Sequence, residues 1–140
     1  MQSLAMRTLR LSTTSRSEMV DVTSMIKKVL PAGLVSGFVI VYVPHTTAGV
    51  TINENADPDV KSDMLRKLET LVPKSEPYYQ HNEGNSDSHV KTALVGNSVL
   101  VLVDNGRMVL GQWQGIYFCE FDGPRQREFH VRPVDLAGPS

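Results

Sequence analysis

The sequence predicts a single α+β domain over residues 1–140, with mostly antiparallel sheet and two to three helices. Three observations carry this reading. Gly37 to Val43 and Ser98 to Asp104 are β-branched and aromatic runs of strand length. Apolar residues recur at the helical period after Asp21 and again after Asp57. Asn105-Gly106 is the strongest hairpin signal in the chain, and a hairpin joins strands antiparallel.

The elements follow in order. Met6 to Ser12 alternates around Met6, Leu9 and Leu11 and reads as a first strand. Asp21 is expected to cap a helix whose buried stripe is Val22, Met25, Ile26, Val29 and Leu30, stopped by Pro31-Ala32-Gly33. Gly37 to Val43 is a central strand ended by Pro44, and Val50 to Asn53 is a short partner. Asp57-Pro58 starts a second helix, since a carboxylate caps and proline needs no amide donor there. Its expected buried stripe is Val60, Met64, Leu68, Leu71 and Val72, and Pro73 ends it. A long polar loop follows from Lys74 to Ser86, and such loops are often functional. Ser86 or Asp87 can cap a short helix through Leu94, closed by Gly96. Ser98 to Asp104 reads as a buried strand, and Met108 to Phe121 and Glu128 to Val134 supply the last ones. The expected order is β-α-β-β-α-(α)-β-β-β.

Composition bounds the function. Hydrophobic content of 41% supports a real core. Lys+Arg 14 against Asp+Glu 15 leaves a net charge of −1. Nucleic acid is therefore not an expected partner, because it calls for a basic face. Cys119 is the only cysteine, so no internal disulfide forms, which fits a reducing cytosol and a cytoplasmic location. It sits in an apolar strand and reads as a small core residue. Met1 to Arg7 lacks the apolar run of a signal peptide, and no segment nears the ~18 apolar residues of a membrane span. No membrane partner is expected.

The chemistry points to the histidines. His45, His81 and His89 each lie in a polar, turn-rich segment. Neutral imidazole is the commonest protein metal ligand and the usual acid or base near neutral pH. His45 follows a rigid strand, with the hydroxyls of Thr46 and Thr47 beside it and Gly49 permitting close approach of a ligand; the threonines alone also suit a simple turn. Asp57 reads as a helix cap, while Asn53 is a candidate pocket residue. The Gly84-Asn85 bend can fold His81 back towards His89, and Asn85 joins the ligand-binding candidates. No H-E-x-x-H or paired C-x-x-C motif is present, and without a thiolate cluster a structural zinc is not expected. Three histidines with open positions would suit a catalytic divalent ion, Zn²⁺ or Mg²⁺. Glu120 falls in an apolar strand, where a carboxylate needs a partner, and Arg125 follows a Gly-Pro turn. Glu120 is expected to face the histidine pocket and Arg125 to bind an anionic group there, with Arg127 as a further nearby cation. Trp113 reads as a packing anchor and His130 as structural.

Taken together, His45-Thr46-Thr47-Ala48, His81-Asn82-Glu83-Gly84-Asn85 with His89, and Leu110-Gly111-Gln112-Trp113-Gln114 followed by Glu120 and Asp122-Gly123-Pro124-Arg125 resemble the YjbQ family, also called the secondary thiamine-phosphate synthase family. Many members place threonine between that glycine and tryptophan, where this chain has Gln112. The resemblance implies an α+β domain assembling as a homotrimer, with sites near subunit boundaries. It also implies joining a pyrimidine pyrophosphate to a thiazole phosphate with release of pyrophosphate. Mapped here, His45, His81 and His89 would be metal or acid–base residues, Glu120 a carboxylate partner and Arg125 a phosphate ligand. Two functions are carried forward: an enzyme acting on a small phosphorylated molecule with a divalent metal, and a non-catalytic trimeric binding protein for a small anion or metabolite.

Overall fold

A computed structural model describes residues 1–137; residues 138–140, the end of the expected domain, lie outside the described residues. The chain runs β1 (Gln2–Ser3), β2 (Arg7–Ser12), β3 (Glu18–Asp21), α1 (Thr23–Val29), β4 (Gly37–Tyr42) and β5 (Ala48–Glu54). It continues through α2 (Pro58–Leu71), α3 (Ser86–Val95), β6 (Ser98–Asp104), β7 (Arg107–Met108), β8 (Gln114–Glu120) and β9 (Gln126–Asp135). The strands pair antiparallel throughout, in two sheets. The larger has the order β1-β9-β4-β6-β7, with β2 also on β9, and the smaller is β3-β8-β5.

Strand alternation explains the layers. Val39 and Val41 of β4, Val101 and Val103 of β6, and Phe129 and Val131 of β9 point inward from the large sheet. They meet Val50 of β5 and Ile116 and Phe118 of β8, with Ile26 of α1 closing the side. The opposite face of β8 offers Tyr117 and Cys119, which pack with Met19, Phe121, α2 residues Met64, Leu65 and Leu68, and Val95 of α3. Because β8 is covered on both faces, its sequence is a continuous apolar run rather than an alternating one. Cys119 is buried in that layer, and burial pushes its thiol up to about 12, so it stays protonated core.

Several expectations shift. Glu18–Asp21 is a strand rather than a lead-in to the helix, paired with Asp21 opposite Tyr117. Asp21 still helps start α1: its Oδ1 accepts from the Thr23 amide at 3.0 Å and the Thr23 hydroxyl at 2.6 Å, although Val22 holds the cap position. Met108 to Phe121 is not one strand. Gly111 accepts from the Gln114 amide and donates to its side chain, and this turn separates β7 from β8. Trp113 lies on that turn and is 56% exposed, so within one chain it anchors no core. α2 buries none of its residues, and Leu71 is exposed; its stripe lies on the surface of the second layer. Asp57 caps α2 as expected, accepting from the Asp59 amide at 2.9 Å. β6 is buried on one face only: Leu100 and Leu102 join Ile40 and Tyr42 of β4 in an exposed apolar patch on the outside of the large sheet. The β6–β7 hairpin turns at Asn105 and Gly106, both at positive φ (51° and 76°), the backbone that Asn-Gly favours.

Candidate functional site

The site forms where β5 begins beside α3. Val43 donates to the Asn97 carbonyl and Val50 donates to the Gly96 carbonyl at 3.0 Å. A Cβ at Gly49 would lie 2.3 Å from the Gly96 oxygen. Gly49 therefore serves close packing of β5 on the end of α3, not approach of a ligand. The outcome is that His45, Thr46 and Thr47 lie alongside α3.

α3 is held by polar groups on its inward face. Asp87, Ser88, Lys91 and Thr92 are buried, whereas Val90 and Leu94 face out. Asp87 receives Arg16 at 3.0 and 3.1 Å and Lys91 at 3.0 Å, and Lys91 also reaches Glu69 at 2.7 Å. Ser88 donates its hydroxyl to the Phe121 carbonyl. Burial acts to raise Asp87, but the bonds from Arg16 and Lys91 outweigh it and hold the carboxyl below its ordinary range. The bond to Asp87 in turn raises Arg16. This lattice fixes the helix turn that carries His89.

Two adjoining cavities result. One, of about 230 Å³, is lined by Thr46, Thr47, His81, Glu83, Asn85, His89 and Arg125. The other, of about 340 Å³, takes in His45, Thr46, His89 and Asn97. The rings of His81 and His89 meet edge-on with centroids 5.4 Å apart. His89 is thus the common member, sharing one cavity with His81 and the other with His45. A separate hollow of about 360 Å³, lined by Lys27, Leu30, Arg107 and Met108, shares no residue with these.

The electrostatics separate the three histidines. Burial pushes His45 below the usual imidazole range, and the charge of Arg127 adds to this. Its Nε2 lies 3.0 Å from the Glu128 carbonyl and 3.2 Å from the Glu128 amide, so β9 satisfies that nitrogen in either tautomer. Among the described residues neither the His81 nor the His89 ring has a backbone hydrogen bond, and the Glu83 carboxylate stands 3.8 Å from His81 Nε2. Among the described residues no three His, Cys, Asp or Glu side chains are grouped to hold one ion. Among the described residues the three histidines do not close into one group: His81 and His89 lie together, and Nε2 of His45 is turned to β9.

Glu120 is fully buried and already surrounded. Arg127 donates to it through Nε at 2.8 Å and through Nη2, Thr13 donates at 2.7 Å, and the Asp122 amide donates at 3.0 Å. Burial alone would raise Glu120, yet these bonds hold it below the ordinary carboxylate range. Glu120 shares the face of β8 with Ile116 and Phe118, so it points between the two sheets and does not line the 230 Å³ cavity. Its link to the site is indirect: Arg127 Nη2 also donates to Thr47 Oγ1 at 2.9 Å. Arg125 does line the cavity, with Nε and Nη2 tied to Asp122 at 2.8 Å each. Asn85 caps α3 by position without a side-chain cap bond; its Nδ2 donates to Asp122 at 2.7 Å. Asn53 is not part of this site. Its side chain accepts from the Glu54 amide, ~16 Å along β5 from Ala48. His130 lies on the outer face of the large sheet beside Thr8 and Tyr42 and lines neither cavity.

Sequence reasoning left out Thr13, gave Arg127 only as a nearby cation, and assigned no role to Glu83 or Asp122. A signal existed for Arg127: it shares the inward register with Phe129 and Val131, and a guanidinium there demands a carboxylate. Asp87 and Lys91 carried a similar signal in their i,i+4 spacing.

A family model described as UPF0047 protein YjbQ-like matches residues 7–135. The chain belongs to this family. UPF0047 protein YugU of Bacillus subtilis is 52% identical over 128 residues, 91% of this chain and 97% of that protein. UPF0047 protein MJ1081 of Methanocaldococcus jannaschii is 50% identical over 126 residues, 89% and 91% of the two chains. A crystal structure of a YjbQ/UPF0047 family protein from Clostridium acetobutylicum superposes with a TM-score of 0.89 at 46% identity, covering 91% of this chain and 99% of that one. The family and the α+β fold anticipated from the motifs are thus shown. No described helix is long and apolar enough to cross a membrane.

Proposed function

We propose that the Thr46–Thr47–His89–Arg125 cavity binds the phosphoryl group of a small molecule and that the protein is an enzyme acting on it. The observation that carries this reading is the convergence of two threonine hydroxyls, one guanidinium and two imidazoles on one cavity of about 230 Å³. Hydroxyl and guanidinium donors suit phosphoryl oxygens, and imidazole is the commonest side chain in general acid–base catalysis. The adjoining cavity of about 340 Å³ offers room for the rest of the ligand or a second one. This arrangement is compatible with the transfer suggested by the YjbQ motifs, in which a thiazole phosphate displaces pyrophosphate from a pyrimidine pyrophosphate. In this reading His89 and His81 are the acid–base residues, Arg125, Thr46 and Thr47 hold oxygens, and Glu120 positions Thr47 through Arg127.

The second reading is a binding protein without catalysis, in which the same donors hold the anion and no proton is moved. Incubation with the two substrates, followed by chromatography for thiamine phosphate and pyrophosphate, separates the readings. Product formation lost in His89→Ala supports the enzyme. Saturable binding of both substrates with no product supports the binding protein.

A homotrimer accompanies either reading. A ring of like subunits needs two different complementary patches on each. Two apolar surfaces are available: the outer large sheet at Ile40, Tyr42, Leu100 and Leu102, and the exposed side of α3 at Val90 and Leu94. The second flanks His89, which would set the site near a subunit boundary.

A further inference from the structure

The cavity has unlike walls. Thr46, Thr47 and Arg125 supply donors: Thr47 Oγ1 already accepts from Arg127, so its own proton is directed elsewhere, and Arg125 keeps Nη1 without a hydrogen bond among the described residues. Glu83 and Asn85 supply acceptors. Among the described residues the Glu83 carboxylate has only long contacts, 3.4 Å to Asn85 Nδ2 and 3.8 Å to His81 Nε2. Asn85 is 5% exposed, and its Oδ1 is the buried side-chain oxygen that meets no donor among the described residues. A buried acceptor without a donor is rare enough to call for a reason.

An oxyanion that carries only lone pairs satisfies the donor wall and is repelled by Glu83. An oxyanion that keeps one proton satisfies both walls. We infer that the cavity selects a phosphoryl group bearing a P–OH over a fully ionised oxyanion of the same size, with Glu83 as the specificity-determining acceptor and Asn85 Oδ1 as the second. This rests on the cavity being a phosphoryl site, and it adds the protonation state that the site reads. Hydrogen phosphate and sulfate are the matched probes: both are tetrahedral dianions, and they differ in one proton.

Calorimetric titration of the full chain at about pH 8.5, where phosphate is the hydrogen phosphate dianion, with sodium phosphate and separately with sodium sulfate at matched ionic strength, tests it. Phosphate should bind about tenfold tighter or more, the factor that one hydrogen bond to a charged group supplies. Glu83→Gln should collapse that ratio, because the amide now donates to sulfate and no longer repels it. The Glu83 side chain is 69% exposed, so the variant should fold, and an unchanged circular dichroism spectrum checks this. Equal affinity for the two anions in the wild type overturns the inference and leaves the anion cavity standing. A preference that persists unchanged in Glu83→Gln also overturns it. Binding of neither anion overturns both the inference and the phosphoryl reading beneath it.

Discussion

Replacing Glu120 with Gln should unfold the protein more easily before it changes any chemistry. The substitution keeps shape and removes the charge that balances Arg127, whose side chain is 4% exposed. It also brings an N–H group against a guanidinium that can only donate. Breaking a buried ion pair on one side costs about 3–5 kcal/mol, because the remaining charge is left uncompensated. For a domain of this size each kcal/mol moves the thermal midpoint by roughly 3–4 °C, so the midpoint should drop by on the order of 10 °C. Thermal unfolding followed by circular dichroism reads this directly. Replacing both partners, Glu120→Leu with Arg127→Met, should recover much of the loss, since two apolar groups leave no charge unpaired. A midpoint within about 2 °C of wild type in Glu120→Gln, together with loss of phosphate binding, would refute the reasoning and return Glu120 to the chemistry.

Further outcomes follow from the same geometry. Stability measured by urea unfolding should decline as pH falls below about 6.5, because the unfolded chain protonates His45 at its ordinary pKa while the folded chain, whose His45 is depressed, does not. The loss levels off below the folded value, and His45→Gln should flatten this limb; an unaltered slope in that variant contradicts the assignment. Asp87 and Glu120 are held below the carboxylate range, so their contribution is present above the unfolded value of about 4 and is lost as pH falls through the lower folded values. Lys91→Met should destabilise by about 3–5 kcal/mol and speed amide exchange in α3, since it leaves the buried Asp87 with Arg16 as its only cation; unchanged exchange there would show that the lattice does not hold the helix. Leu102→Glu should convert a trimer into monomers by light scattering, because it places a charge in the apolar patch of the large sheet; a wild-type monomer at micromolar concentration removes the trimer.

The fold was legible where local signals agree with burial. Asp57-Pro58 and Asn105-Gly106 specify their backbone by their own chemistry, and both stand where expected. Glu18–Asp21 was hidden because a four-residue strand has too little period to show, and Asp21 also resembles a cap. α3 defied its pattern: Asp87, Ser88 and Lys91 are buried there, since a paired network substitutes for apolar packing and the apolar residues turn outward. Within the site, His81, His89, Thr46, Thr47, Asn85 and Arg125 do line one cavity. The role of Glu120 was illegible because its partner Arg127 comes from another sheet, a pairing fixed by how the two sheets meet at one end. The tie between His45 and Glu128 was equally hidden, for the backbone that meets its Nε2 belongs to β9.

The central claim, that a phosphoryl group binds beside His81 and His89, is tested most directly by the imidazole proton signals of the four histidines during titration with sodium phosphate. His81 and His89 should shift together and saturate with one binding constant, while His130 on the outer sheet stays still. No saturating shift at His81 and His89, or an equal shift at His130, would contradict it.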